Sequence, residues 1–193
     1  MTPIPLHLSS LPRTKSGLPV PYVAMWEGEE IQHIAHDRNI NAKALFSAPR
    51  RPDGDAMLGF MEVSRQREVV ALGLCQVCRK RLDPRDRFVV GLLESHADGT
   101  MIREPWTCTR CLVFALRVCP GLIRKKRSDD GLSVIRMSKW ATLIAKTDVI
   151  GLVQQGLLDP AATDKPTVYG YAKIVPAKSS YVMSSEQFLK SFG

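Results

Sequence analysis

The sequence predicts an α+β fold in which a small zinc module of the treble-clef type is flanked by N- and C-terminal strands and short helices. Two cysteine pairs, Cys75-Gln-Val-Cys78 and Cys108-Thr-Arg-Cys111, are separated by 29 residues. An apolar run of helical character follows the second pair directly, and β-prone segments lie on both sides of the pairs. At 193 residues the chain is long enough to enclose a hydrophobic core.

The cysteine spacing predicts one structural zinc ion bound by Cys75, Cys78, Cys108 and Cys111. Each pair can present two thiolates from a tight turn, and four sulfur ligands suit the geometry and softness of Zn²⁺. A redox pair, disulfides or free core cysteines are the alternatives. Residues 1–8 lack the basic and then apolar runs of a signal peptide, so we expect a reducing location, the cytoplasm of a bacterial host cell.

Residues 1–55 are predicted to form an extended N-terminal segment with one short strand. Five prolines among residues 1–22 disfavour a helix there. Val20–Trp26 has the composition of a strand, the structure of Gly28–Asn41 is left open, and Ala48–Asp55 is a proline- and glycine-containing loop.

Residues 56–127 are predicted to contain a helix and then the zinc module. Ala56–Leu72 has no proline, and we expect a helix whose exposed face carries Arg65, Gln66 and Arg67. Two β-prone segments, Phe88–Leu93 and Thr100–Arg103, flank an Asp-Gly turn and predict a hairpin.

The run from Cys111 to Cys119 is apolar almost all round, which is typical of a buried helix, and Pro120-Gly121 should end it. A zinc ribbon would place a strand after the second cysteine pair, whereas a treble clef places that pair in the first turn of a helix. The helical run favours the treble clef, because helix N-terminal amides stabilise thiolates.

Residues 128–193 are predicted to form an α/β segment that packs on the zinc module. Leu132–Val153 is interpreted as strand, with a helix over Lys139–Ala145 as the alternative. Thr167–Val175 alternates as a strand does. The capping box Ser184-Ser-Glu-Gln187 predicts a terminal helix that ends near Phe192.

Four motifs together with Cys111 carry a resemblance to other proteins: Pro19-Val-Pro-Tyr22, Ser64-Arg-Gln-Arg67, Gly73-Leu-Cys75-Gln-Val-Cys78 and Leu116-Arg-Val-Cys119-Pro120. On these residues the part of the chain from Phe60 to Cys119 resembles a group of uncharacterised proteins from actinobacteria and their phages. In these relatives the third ligand position, here Cys108, is often histidine. The resemblance implies a zinc site and a phage or prophage origin.

A looser resemblance is to HNH endonucleases with cysteine–zinc knuckles, in which an arginine-bearing helix also leads into Gly-x-Cys-x-x-Cys. The nuclease needs a histidine on the first hairpin strand and another on the following helix. Phe88–Leu93 and the run after Cys111 contain none, and His96 lies at the expected turn. We therefore predict a protein that is not an enzyme, with a metal-dependent nuclease as the least favoured alternative.

The net charge of +8 is concentrated between Arg65 and Arg127, where 14 lysines and arginines stand against 6 acidic residues. This concentration favours a polyanionic partner, with nucleic acid first and an acidic surface of a host enzyme or defence protein second. No apolar run reaches the length of a membrane span, so we expect no membrane partner. The candidate partner-binding residues are Arg65, Arg67, Arg79, Lys80, Arg81, Arg85, Arg87, Arg124, Lys125, Lys126 and Arg127.

A structural role rather than metal binding is expected for Cys119 and for a pair of histidines near the N-terminus. Cys119 lies eight positions after Cys111 on one predicted helix, about 12 Å along its axis, so it is expected to be a small buried group rather than a ligand. His33, His36 and Asp37 have the composition of half a metal site, but a surface or capping role is the favoured interpretation.

Overall fold

The computed structural model describes residues 3–90, 94–96, 99–102, 104–126, 132–136, 140–147, 149–154, 167–176 and 181–193. The strands are β1 (Ala24–Trp26), β2 (Ile31–Asp37), β3 (Ala42–Ser47), β4 (Ala56–Met61), β5 (Phe88–Val90), β6 (Glu94–His96), β7 (Gly99–Met101), β8 (Ser133–Arg136), β9 (Trp140–Lys146), β10 (Tyr169–Pro176) and β11 (Tyr181–Ser184). The helices are α1 (Val63–Leu72), α2 (Thr109–Val118), α3 (Pro120–Lys126), α4 (Val149–Gln154) and α5 (Ser185–Phe192). The mixed α+β class is thereby confirmed.

The strands form four small sheets rather than one large one. The largest has the order β2-β3-β10-β9, with β3 parallel to β10 and the other neighbours antiparallel. A three-stranded sheet has the order β11-β8-β5, and β1-β4 and β6-β7 are two-stranded. The predicted hairpin is therefore wrong in its first strand, because Phe88–Val90 pairs with β8 and the described hairpin joins β6, which includes His96, to β7. Strands from the first fifty residues therefore share a sheet with strands from the last sixty, which local sequence patterns do not reveal.

The N-terminal part contains more regular structure than the sequence predicted. Leu6–Leu8 forms one turn of 3-10 helix, and Leu8 is fully buried. The expected strand over Val20–Trp26 is limited to β1, and the undecided stretch supplies β2, which pairs with β3. The loop over Ala48–Asp55 is confirmed.

The predicted helix over Ala56–Leu72 is half wrong, because its first six residues form β4. Glu62 ends the strand and caps α1, since its carboxylate accepts the backbone amides of Ser64 and Arg65. At the other end Gly73 adopts the left-handed conformation (φ 65°) that closes many helices. A bulge in β4 opposite Ala24 and Met25 pushes Leu58-Gly59-Phe60 outward.

Helix α1 is attached to the large sheet by polar side chains, so the prediction that Gln66 and Arg67 lie on its exposed face is wrong. Both residues are fully buried. The Gln66 side-chain amide exchanges two hydrogen bonds with the backbone of Ala172. The Arg67 guanidinium is paired with Asp37 at 2.8 Å and donates to the carbonyls of Gly170 and Leu45.

Helix α2 lies between two core clusters and contributes apolar side chains to both. Cys111 and Phe114 face the cluster that contains Trp106, while Leu112 and Leu116 face the cluster around Phe88 and Phe188. Pro120 does not end helical structure as expected; it starts α3, because proline fits the first position of a helix, where no amide donor is needed.

The C-terminal prediction is confirmed for strands β8, β9 and β10 and for the terminal helix, but the end of the predicted strand Leu132–Val153 is wrong, because it forms helix α4. Strand β9 replaces the alternative helix over Lys139–Ala145, and β10 covers the predicted alternating strand. Both hydrogen bonds of the capping box between Ser184 and Gln187 are present at the start of α5. Ser128–Gly131, Lys139, Asp98 and the end of the Phe88–Leu93 segment lie outside the described residues. In the part of the chain that the structure describes, no helix has the length and apolarity needed to cross a membrane.

Candidate metal centre and the basic surface around it

The four predicted ligands come together in one cluster. The sulfur atoms of Cys75, Cys78, Cys108 and Cys111 all lie within 4.8 Å of one another. Metal–sulfur bonds of about 2.3 Å in a tetrahedron place sulfurs about 3.8 Å apart, so a cluster of this size can hold one metal ion. All five cysteines of the chain are free, which excludes the disulfide alternative in this structure.

A tight backbone turn positions the first pair. The Cys75 amide donates to the Lys80 carbonyl, and the Arg79 amide donates back to the Cys75 carbonyl. Arg79 occupies the left-handed region (φ 58°), where glycine would be less strained. Its side chain explains the choice, because the guanidinium stacks on the Tyr22 ring and pairs with Glu68 of α1 at 2.7 Å.

The second pair is positioned by the start of α2. Cys108 is the N-cap residue and Cys111 lies in the first turn. Asp86 fixes this helix start, because its carboxylate accepts both the amide and the hydroxyl of Thr109. The Cys108 amide donates to the Cys75 sulfur at 3.4 Å. One end of a helix and one backbone amide therefore point at the sulfurs, which favours their thiolate form.

The close packing of the four thiols shifts the pKa values of Cys78 and Cys111 in opposite directions. A hydrogen bond with Cys108, and then one with Cys111, holds the pKa of Cys78 far below its usual range. Hydrogen bonds with the other three cysteines raise the pKa of Cys111 far above it, with Cys108 the largest cause. A metal ion that binds all four sulfurs as thiolates must therefore displace protons that the cluster otherwise retains.

One residue near the cluster has no sequence signal. His7 of the 3-10 turn places its Nε2 atom 3.4 Å from the Cys111 sulfur. Burial, followed by the positive charge of Arg110, lowers the pKa of His7 below its ordinary value. The contact spans 104 residues of sequence, so neither periodicity nor ligand spacing could have indicated it.

The remaining candidate ligands stay outside the centre. Cys119 follows the end of α2, is half-buried and lines an apolar cleft instead. His33 stacks on Phe46, His36 is exposed, and Asp37 is committed to Arg67. Within the described ranges the four cysteines are the only group of three or more possible metal ligands.

Two of the predicted partner-binding arginines, Arg65 and Arg67, instead make contacts within the fold. Arg67 is 0% exposed and cannot reach a partner. Arg65 is largely buried and makes two hydrogen bonds to Glu29, together with one to the Ala24 carbonyl. The proposal that these two residues bind a polyanion is therefore wrong for Arg67 and disfavoured for Arg65, whose charge Glu29 already balances.

The other predicted partner-binding residues differ in their exposure and in whether an acidic residue already pairs with them. Arg79 is 56% exposed but paired with Glu68. Arg87 is half-buried over the Trp106 ring, and burial lowers its pKa. Arg124 on α3 is exposed, the side chains of Lys125 and Lys126 are not described, and Arg127 lies outside the described residues.

Four exposed cations lie in and beside the metal-binding turns, and we call them the knuckle surface. Its residues are Lys80, Arg81, Arg85 and Arg110. Lys80 follows the first cysteine pair and Arg110 lies inside the second, close enough for both to repel a proton on His7. Arg136 of β8 donates to the Arg85 carbonyl and adds a fifth exposed cation nearby. Neither Arg110 nor Arg136 stands in a basic run, so the sequence pattern does not indicate them.

Among the described residues, no salt bridge joins Asp83 or Asp86 to a cation of the knuckle surface. Asp83 accepts the backbone amide of Arg85, and Asp86 accepts from Thr109. Both carboxylates therefore serve loop and helix geometry.

Comparison with known proteins adds nothing further, because no protein-family model, no curated protein and no solved structure matches the chain.

An apolar cleft of about 260 Å³ lies beside the metal-binding turns, since Val77 and Cys111 are among its lining residues. Residues of the N-terminal segment, the β4 bulge and α2 line it, including Pro19, Leu58, Phe60, Phe114 and Val118. Leu58 is 41% exposed and Phe60 is 60% exposed.

Proposed function

We propose that the protein is a non-enzymatic, zinc-stabilised binding protein that engages nucleic acid through the knuckle surface. The ion is proposed to be Zn²⁺, because four thiolates form a soft, tetrahedral donor set and Zn²⁺ accepts that geometry without redox chemistry. The four-sulfur cluster supports a metal ion of this kind. Zinc analysis of protein purified without chelator tests this part, and protein free of zinc would contradict it.

We further propose that the module is a treble clef. The first cysteine pair lies on a backbone turn, the paired strands β6 and β7 follow, and the second pair lies at the start of α2. This order of knuckle, hairpin and helix is the order that the treble-clef hypothesis requires.

The observation that carries the nucleic-acid proposal is that Lys80, Arg81, Arg85 and Arg110 are exposed around one metal centre. Four thiolates and Zn²⁺ carry a formal charge of about −2, which these cations exceed. The surface is suited to phosphate contact without base recognition, because α2 uses its apolar residues in two core clusters and cannot enter a groove.

The test measures the affinity for duplex DNA and for RNA as a function of salt. Each phosphate contact contributes about −0.9 to the slope of log K against log[salt] on duplex DNA. Changing Lys80, Arg81 and Arg85 together to Ala should flatten the slope by about 2.7, if each of the three contacts one phosphate. Zinc content should not change, since the proposed ligands are the four cysteine sulfurs and not these side chains.

A matched control removes the same charge elsewhere. Arg38, Lys43 and Lys146 are exposed on or beside the strands of the large sheet, and changing all three to Ala should leave the slope almost unchanged. Equal effects of the two triple variants would show that only net charge matters. Passage of the wild-type protein through heparin near physiological salt would refute the nucleic-acid proposal.

A protein partner is the second candidate function, and the apolar cleft favours it. Leu58 and Phe60 project from a strand bulge beside the cleft, and exposed apolar groups of this size often mark interaction sites. Under this alternative, changing both residues to Ser should abolish capture of a host protein from bacterial lysate, whereas the Lys80/Arg81/Arg85 variant should retain it. The reverse pattern would assign the protein partner to the knuckle surface instead of the cleft.

We also propose that the protein does not cleave nucleic acid. Neither Phe88–Leu93 nor α2 contains a histidine that could bind a catalytic metal. Plasmid, linear DNA and RNA should stay intact with Mg²⁺ or Mn²⁺, and cleavage that His96→Ala abolishes would establish the nuclease instead. A phage or prophage origin, which the sequence resemblance implies, remains a prediction.

A further inference from the structure

His7 is held against the metal centre by the packing of its own neighbours. Leu8 is fully buried in the main core cluster, which also contains Cys75 and Cys111. The 3-10 turn over Leu6–Leu8 then directs the imidazole to the cluster, where Nε2 lies 3.4 Å from the Cys111 sulfur. This distance is within the range of a hydrogen bond to sulfur.

The surroundings of the other ring nitrogen decide which one carries the proton. His7 Nδ1 is buried and has no hydrogen-bond partner among the described residues. A buried N–H group without an acceptor is more costly than a buried nitrogen lone pair, and a neutral imidazole has one of each. The proton therefore belongs on Nε2, where the Cys111 sulfur can accept it.

We propose that His7 donates its Nε2–H to the thiolate of Cys111 and thereby makes the N-terminal segment an outer part of the metal centre. The inference rests on the proposed zinc site. Hydrogen bonds to a coordinating thiolate reduce its charge and its tendency to leave the metal, and residues in this position commonly change metal affinity by about 10- to 100-fold. His7 is a positioning residue in this scheme, because four sulfurs already complete the tetrahedron.

The first experiment compares His7→Phe, which keeps a ring but removes the donor, with His7→Gln, which keeps an N–H donor. Zinc release to a chromogenic chelator should be about 10- to 100-fold faster in His7→Phe and closer to wild type in His7→Gln. His36→Phe changes an exposed histidine and should release zinc at the wild-type rate. Equal release rates in wild type and His7→Phe would overturn the proposal.

Cobalt substitution separates the hydrogen bond from packing. In the Co²⁺ protein the sulfur-to-metal charge-transfer band should move to lower energy in His7→Phe, because the thiolate electrons are less stabilised without the donor. His7→Gln should show a smaller displacement. A band that stays in place in His7→Phe while zinc release accelerates would assign His7 a packing role only and would overturn the proposed donor role.

A measurement on the wild-type protein covers the case in which His7→Phe does not fold. In ¹¹³Cd-substituted, ¹⁵N-labelled protein, a scalar coupling between ¹¹³Cd and the His7 Nε2 proton is expected across the hydrogen bond. Absence of that coupling in metal-loaded protein would refute the donor role. Failure of the protein to bind Zn²⁺, Co²⁺ or Cd²⁺ at all would instead refute the metal centre.

Discussion

Replacing Arg67 with Met tests whether this arginine belongs to the fold or to a binding surface. The buried guanidinium donates to Asp37 Oδ2 at 2.8 Å, to the Leu45 carbonyl at 2.7 Å and to the Gly170 carbonyl at 3.1 Å. Methionine retains the apolar stem and removes all three donors. The variant therefore leaves a buried carboxylate without its counter-charge and two carbonyls without these donors.

The expected loss is large because the remaining charge cannot reach water. Asp37 is 3% exposed, and removing one partner of a buried ion pair typically costs about 3 to 5 kcal/mol. The Phe46 ring, 5.2 Å from the guanidinium carbon, loses its cation as well. We expect the free energy of unfolding of Arg67→Met to fall by about 4 kcal/mol.

Urea unfolding followed by circular dichroism measures this loss. Arg38→Met is the matched control, because Arg38 is exposed and its replacement should change stability by no more than about 0.5 kcal/mol. The double variant Asp37→Leu, Arg67→Met removes both charges and should be more stable than Arg67→Met alone. A loss below about 1 kcal/mol in Arg67→Met would refute the structural role.

The remaining predictions concern the metal centre, an alkaline titration and a helix cap. A single change to Ser at any of the four ligand cysteines should abolish stoichiometric metal binding and severely destabilise the protein. The reason is that structural zinc contributes on the order of 10 kcal/mol in small modules. The Cys119→Ser variant is the control and should bind the metal normally. Zinc affinity, measured by competition with a chelator, should fall as the pH is lowered, because the ion must displace the protons favoured by the raised pKa of Cys111. Burial, followed by the hydrogen bond to Glu68, raises the pKa of Tyr22 to about 12, so the folded state favours the neutral phenol. The free energy of unfolding should therefore fall as the pH rises from about 10 to 12. Tyr22→Phe should remove that part of the fall. Ser184→Ala should cost about 1 kcal/mol by urea unfolding, since the hydroxyl accepts the Gln187 amide at 3.1 Å, while Ser16→Ala, at an exposed loop position, should cost less.

Features that depend on a few neighbouring residues could be predicted from the sequence. The capping box at Ser184 needs only residues three positions apart, and it starts α5 as expected. The two cysteine pairs are local turns with a fixed ligand spacing, so their convergence on one cluster follows from four residues. The alternating strand after Thr167 is of the same kind.

Features that depend on distant partners could not be predicted. Gln66 and Arg67 are polar and suggest an exposed helix face, yet backbone groups of β10, more than 100 residues away, accept their hydrogen bonds. Met57, Leu58 and Phe60 are compatible with helix, and only pairing with β1 makes them part of a strand. Tertiary contacts therefore override local propensity at both places.

The number of phosphate contacts that the protein can make is smaller than its net charge suggests. Three arginines of the basic segment are paired with acidic residues, since Arg65 binds Glu29, Arg67 binds Asp37 and Arg79 binds Glu68. The four cations of the knuckle surface would give a slope of log K against log[salt] of about −3.6 on duplex DNA.

That value separates two ways of binding. A wild-type slope near −3.6 that falls towards −1 in the Lys80/Arg81/Arg85 variant would confine the contacts to the knuckle surface, within about one contact. A slope of about −6 or steeper would require further cations, for which exposed Arg124 on α3 is the first candidate, and Arg124→Ala should then flatten it by about 1. A slope that neither change alters would refute phosphate binding by this region, whatever the net charge of the chain.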